Sequence, residues 1–228
     1  NQSMKNEDID QPDLAKGRFG DWRCAPKEWK VYHPDHDDYQ KEGNCRRWIA
    51  RCLNMGTRLR NISLGDIRDG FNRAEMGKPT LISFTNHDFR DMKPRINHVR
   101  EMIEKVSKEF SDVKFRYCNA VDAMRKVIGI KGKDIKPPDF KLNFEKGDKP
   151  STIDLKSKND IFGPQPFFAF KTKSNQYFWQ NLDFQEKNRW TYTFDFNTLD
   201  IDAVEKIGFA ANTDSGVTEI VVLDPSNE

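Results

Sequence analysis

The chain has 228 residues, with 38 Lys and Arg against 36 Asp and Glu, a net charge of +2, and 36% hydrophobic residues. That length holds one large domain or two small ones, and Phe, Ile, Leu and Val make up about 23% of it, above the roughly 20% that marks disordered chains. No apolar run approaches the roughly 18 residues of a membrane span, the balanced charge argues against nucleic-acid binding by phosphate neutralisation, and collagen, coiled-coil and disulfide-scaffold compositions are excluded.

Residues 1–16 are polar and acidic and read as a disordered tail. No secretory signal is visible, so a cytoplasmic location is the expectation. Between residues 17 and 44, Trp22, Trp29, Tyr32, His33, His36 and Tyr39 sit among Pro and Gly breakers and read as a long structured loop. Cys24, Cys45, Cys52 and Cys118 form no C-x-x-C pair and read as reduced thiols, with a Cys24–Cys45 bridge left open.

Helical periodicity starts at Ser63. Ser63 and Asp66 make a capping-box-like pair, Leu64, Ile67, Phe71 and Ala74 share one face, and Gly77 suits the C-terminal cap. The run Thr80–Thr85 reads as a buried strand ending at Asn86-His87-Asp88. A second helix starts at Pro94 with Ile96, Val99, Met102, Ile103, Val106 and Phe110 as its stripe. Val113–Tyr117 alternates like a strand, and Asn119 caps a third helix. This order predicts a parallel α/β unit over 17–131.

Residues 131–138 form a charged linker ending in Pro137-Pro138. Beyond it, eleven of the 17 Phe fall in a region of short alternating runs. These are Phe140/Leu142/Phe144, Ile153/Leu155, Phe168/Phe170, Trp190/Tyr192/Phe194/Phe196, Ile207/Phe209/Ala211 and Ile220/Val222. About seven strands punctuated by turn residues predict an all-β sandwich over 139–228, with one short helix near Asp200–Glu205.

Few side chains are candidates for chemistry. His87 follows a strand, the place where open α/β sheets gather ligands, and Asp88 and Arg90 flank it as groups able to orient an acid or base. His33, His36 and Asp37 lie in H-P-D-H-D-D, residue types that suit zinc or another divalent metal, although a solvated acidic loop explains the same letters. Trp22, Trp29 and Trp179 are candidate platforms for sugar rings; alternating aromatics serve equally as core.

The run from Leu81 through Asn86-His87-Asp88-Phe89-Arg90-Asp91 to Met92, the stretch Val113–Met124, and the later Trp190–Asp195 and Ile207–Asn212 together resemble the C-terminal portion of polysaccharide-deacetylase-like proteins, relatives of carbohydrate esterase family four, with an appended β-sandwich. The resemblance implies a distorted β/α barrel, here incomplete, and a carbohydrate-active hydrolase that removes acetyl groups from sugars with the help of a divalent metal, usually zinc. It places His87 as the late-strand acid. The family's H-x-x-x-H and its early strand with an Asp-Asp pair have no counterpart here. The partner implied is carbohydrate, and the missing N-terminal half is either carried by a second chain or lost. The alternative is a non-catalytic carbohydrate-binding or assembly module.

Overall fold

A computed structural model of the chain describes residues 2–3, 21–56, 60–147, 150–195 and 197–227. The expected tail over 1–16 lies outside these residues except for Gln2 and Ser3. Ser3 is buried and its hydroxyl donates to the Pro26 carbonyl at 2.8 Å. The chain divides into two compact units, Asn1–Gly129 and Ile130–Glu228. The linker residues are tied into the second unit, because Asn159 Nδ2 donates to the Pro137 carbonyl and Ser157 Oγ to that of Pro138.

The first unit mixes helices with short strands. β1 (Val31–Tyr32) pairs antiparallel with β2 (Ile49–Ala50). β3 (Cys52–Asn54) pairs parallel with β4 (Ser83–Thr85) in the register Leu53 to Phe84. The connection carries α1 (Leu64–Glu75), whose start is dictated locally: Ser63 caps the Asp66 N–H while Asp66 returns to the Ser63 N–H. Gly77, at φ +72°, ends it. Helix α2 (Lys93–Ser107) has Pro94 in its first turn. Ile67 and Phe71 of α1, Val99, Ile103 and Val106 of α2, Leu53, Trp29 and Phe110 form one buried core.

Helix α3 (Ala120–Val127) is capped by Asn119 as the sequence predicts, yet none of its residues is buried. The strand expected over Val113–Tyr117 does not form. An extended segment becomes a strand only by pairing, and β4 is paired on one side by β3 alone. Among its described residues this unit contains a two-stranded antiparallel sheet and a two-stranded parallel sheet with flanking helices, and an incomplete barrel is not shown.

Among its described residues the second unit is all β apart from short 3-10 turns at Gly132–Asp134 and Ile201–Ala203, the latter standing where a short helix was expected. Eight strands follow: β5 (Phe140–Glu145), β6 (Ser151–Ser157), β7 (Phe167–Thr172), β8 (Tyr177–Gln180), β9 (Asp183–Glu186), β10 (Arg189–Phe194), β11 (Val204–Asn212) and β12 (Thr218–Leu223). They form two antiparallel sheets of four, in the orders β5-β6-β10-β9 and β12-β11-β7-β8. The sheets share one core, in which Ile153, Leu155, Trp190 and Tyr192 of the first meet Phe168, Phe170, Ile207 and Phe209 of the second. The Phe168 ring lies 4.8 Å from Tyr192 across the gap and stacks on Phe209 at 5.0 Å.

Two details depart from the sequence reading. Ile220 and Val222 of β12 face solvent, and Leu223 packs on the core in their place. The run Ile220–Leu223 is apolar on both faces, so either register was open locally. The β11 pairing, and Glu219 accepting the backbone N–H groups of Asp139 and Phe140, decide it. The edge strands β8 and β9 were not anticipated; every residue of both is exposed, so neither carries an in-out alternation. Phe196, read as part of the β10 alternation, lies outside the described residues.

Candidate functional site

His87 sits in the turn that follows β4, at the carboxyl end of the parallel pair. The two strand ends are laced together: the Met55 N–H donates to the Thr85 carbonyl at 3.0 Å, and Asn86 Nδ2 returns to the Met55 carbonyl at 3.4 Å. Asn86 Oδ1 then accepts the His87 N–H at 2.9 Å, which starts the turn closed by Arg90 N–H to the His87 carbonyl. The exposed imidazole stacks on Phe89 with centroids 5.2 Å apart, and the Arg90 guanidinium lies 5.2 Å from the same ring. Among the described residues, the side chains of Asp88 and Arg90 make no hydrogen bond or ion pair with the His87 imidazole. Asp91 is spent on the Lys93 N–H at the start of α2.

The H-P-D-H-D-D segment is a tight loop closed by Gly43 N–H to the His33 carbonyl (2.8 Å) and Asp35 N–H to the Lys41 carbonyl (2.9 Å). Asp35 turns its carboxylate inward onto the Asp37 and Asp38 N–H groups, and these bonds hold it below the usual carboxylate range. His33 Nδ1 donates to the Arg47 carbonyl at 3.0 Å, and its ring lies on Trp48 with centroids 3.5 Å apart. His36 and Asp37 point to solvent. Among the described residues no three His, Cys, Asp or Glu side chains gather as a metal site. The four cysteines are unbridged.

The three candidate tryptophans have different fates. Trp22 is half-buried, edge-on to Tyr39 at 5.0 Å. Trp29 is 1% exposed, and its Nε1 donates to the Asp66 carbonyl at 2.6 Å. Its ring faces the Arg51 guanidinium at 4.5 Å, so no face is left for a ligand. Only Trp179, in the second unit, presents an open ring.

Trp179 belongs to an extended surface. On the outer face of the β12-β11-β7-β8 sheet, one row across the strands reads Trp179, Ala169, Gly208, Val222. The next row reads Phe167, Ala210, Ile220. Small residues on the two central strands lie between large ones on either side. The result is a shallow trough, with Trp179 and Tyr177 along one wall, Ile220 and Val222 along the other, and Phe167 at one end. These five side chains are between 61% and 73% exposed. At the opposite end Lys171 stands between Tyr177 and Lys206, and its Nζ meets Glu205 at 2.8 Å.

The other sheet offers a contrast. Its outer face is polar, with Arg189 on Asp154 through two bonds of 3.1 and 2.9 Å and Gln185 Nε2 on Thr191 at 2.8 Å. The guanidinium holds the Asp154 carboxyl below its ordinary range. One face of the unit is thus solvated and internally paired, and the opposite one is apolar and uncovered. Contiguous exposed apolar surface of this kind marks a binding surface. Sequence reasoning singled out Trp179 but missed Phe167, Ala169, Gly208 and Ala210. The available signal was the alternation of small with large residues in Phe167–Phe170 and Gly208–Ala211, on strands central enough to need both faces explained.

Comparison of the chain with protein-family models, with curated proteins and with solved structures finds no match, so the functional assignment rests on these geometries.

Proposed function

We propose that the chain is a carbohydrate-binding protein that receives a glycan in the trough of the β12-β11-β7-β8 sheet. The observation carrying this reading is the pair of exposed rings, Trp179 and Tyr177, standing beside a floor of Ala169, Gly208 and Ala210. Aromatic faces pair with the C–H-rich faces of sugar rings, and small floor residues let a flat chain approach the sheet. The test is a glycan array followed by calorimetry on the best ligand. Trp179→Ala should lower affinity at least tenfold, about 1.4 kcal/mol, with an unchanged melting temperature because the ring is exposed. Retention of no glycan at all, or a Trp179→Ala variant that binds as tightly as the parent, overturns the reading.

A second reading rests on His87. An exposed imidazole just past the carboxyl end of a parallel pair occupies the position where α/β proteins place ligands. In this reading the β3-α1-β4-α2 unit is part of a deacetylase-like barrel completed by a second chain, which also brings the metal ligands, and His87 is the acid. Release of acetate from acetylated chito-oligosaccharides, dependent on added zinc and on the partner chain and lost in His87→Ala, would favour it.

A further inference from the structure

The first unit holds a cleft of about 410 Å³ beside the segment that fails to become a strand. Phe71 of α1, Ile82 and Phe84 around β4, Ile103 of α2 and Val127 of α3 line it with apolar surface. The space exists because Val113–Cys118 runs past β4 without pairing to it. Phe115 and Tyr117 in that segment remain half exposed, with Phe115 edge-on to Phe71 at 5.7 Å. The opening is within the range of small-molecule sites, and an apolar cavity with a few convergent polar groups is the usual form of one.

Its charge is one-sided. Lys114, Arg116 and Lys126 line the cleft, and no Asp or Glu does. Among the described residues none of the three has an ion-pair partner, although the chain as a whole carries nearly equal numbers of acids and bases. Neighbouring cations are neutralised where acids are at hand: Arg125 of the same helix meets Asp122 at 3.4 Å, and Arg68 of α1 meets Glu109 at 2.7 Å. Three exposed cations rim the apolar hollow with no acid among its lining residues, and a positive field at its edge favours an anion there. A ligand that complements both features has an apolar body and one negative head.

We propose that this cleft binds a small amphipathic anion, a medium-chain carboxylate. Its alkyl chain would lie against Phe71, Ile82 and Phe84, and its head would lie among Lys114, Arg116 and Lys126. The site is in the first unit and is independent of the glycan trough in the second.

The experiment is calorimetry on the full chain with decanoate below its micellar concentration. Decyltrimethylammonium serves as the cation of matching tail, and backbone amide shifts locate the bound molecule. Decanoate should bind at least tenfold tighter than decyltrimethylammonium, and more weakly as salt is raised. Its largest shifts should fall on residues 80–84 and 113–118. Arg116→Glu with Lys126→Glu, both exposed positions, should cost at least tenfold in affinity while leaving the melting temperature within a few degrees. Equal affinity for the two amphiphiles, shifts confined to the β-sheet unit, an affinity untouched by the double charge reversal, or no binding of either compound would each overturn the proposal.

Discussion

Asp66→Ala tests the packing logic of the first unit most severely. Asp66 carries three duties with one carboxylate. Oδ1 accepts from Arg51 Nη2 at 2.9 Å, and Oδ2 accepts from the Ser63 N–H at 3.0 Å and the Ser63 hydroxyl at 2.6 Å. Arg51 is wholly buried, at 0% side-chain exposure, and Asp66 nearly so at 7%. The guanidinium has few other partners: Nε donates to the Ser3 carbonyl at 3.0 Å, and Nη1 has none among the described residues. Truncation therefore strands a buried cation, which costs about 3–5 kcal/mol. Loss of the two return bonds from Ser63 to the carboxylate adds about 1 kcal/mol. Domains are stable by only about 5–15 kcal/mol, so a loss near 5 removes much or all of the stability of this unit.

The assay is urea unfolding followed by tryptophan fluorescence. Trp22, Trp29 and Trp48 report the first unit, and Trp29 touches Arg51 directly. Two units need not melt as one, so the transition is resolved with Trp179→Phe and Trp190→Phe in the background. The companion is Arg51→Met with Asp66→Leu, in which no buried charge is left unpaired. Pairs replaced in this way are often neutral or stabilising, so the double variant should recover most of the loss. A single variant costing under about 1.5 kcal/mol, the least expected for a hydrogen bond to a charged group, would refute the reasoning. So would a double variant as unstable as the single one.

Three further outcomes are expected. Trp190 is 2% exposed and its Nε1 donates to the Pro164 carbonyl at 3.1 Å, so Trp190→Ala should destabilise the β unit by about 3–5 kcal/mol in calorimetric melting. A Cβ at Gly43 would fall 2.5 Å from Asp35 Cα, so Gly43→Ala must open the His33–Gly43 loop, cost about 1–3 kcal/mol, and speed exchange of the Gly43 and Asp35 amides. Burial, reinforced by Glu42 and Asp38, pushes the Tyr32 phenol from 10.0 up to about 12. Its stabilising contribution is whole below pH 10.0 and is lost as pH rises through about 12. A difference titration of phenolate absorbance against Tyr32→Phe should show that late step, and its appearance near 10.0 would contradict the burial.

Local chemistry made several elements legible in the letters alone. Ser63 and Asp66 three residues apart specify a helix start, whatever surrounds them, because both bonds close within one turn. Gly77 and Asn119 mark helix ends for equally local reasons. Alternation in β6, β7 and β10 shows as a clean in-out pattern because each of these strands has one face in the shared core. Trp179 was legible as a candidate, but not the trough to which it belongs. That surface exists only when Ala169, Gly208 and Val222 from three strands are brought into one row.

Other features were decided by partners distant in the chain. Val113–Tyr117 has the letters of a strand, but a strand is a pairwise object and none of the described residues pairs with it. Trp29 reads equally well as platform or core, and the Asp66 carbonyl and Arg51 make it core. His33, His36 and Asp37 have the right chemistry for a metal, and the folded loop engages His33 with the Arg47 carbonyl and Asp35 with the Asp37 N–H, bonds that the letters do not announce. Composition and short-range pattern thus determine which segments are helical, which alternate and where they stop. Tertiary contact decides which face of an ambivalent strand is buried and which side chains meet, because only the folded chain sets one segment's polar and apolar groups against those of another.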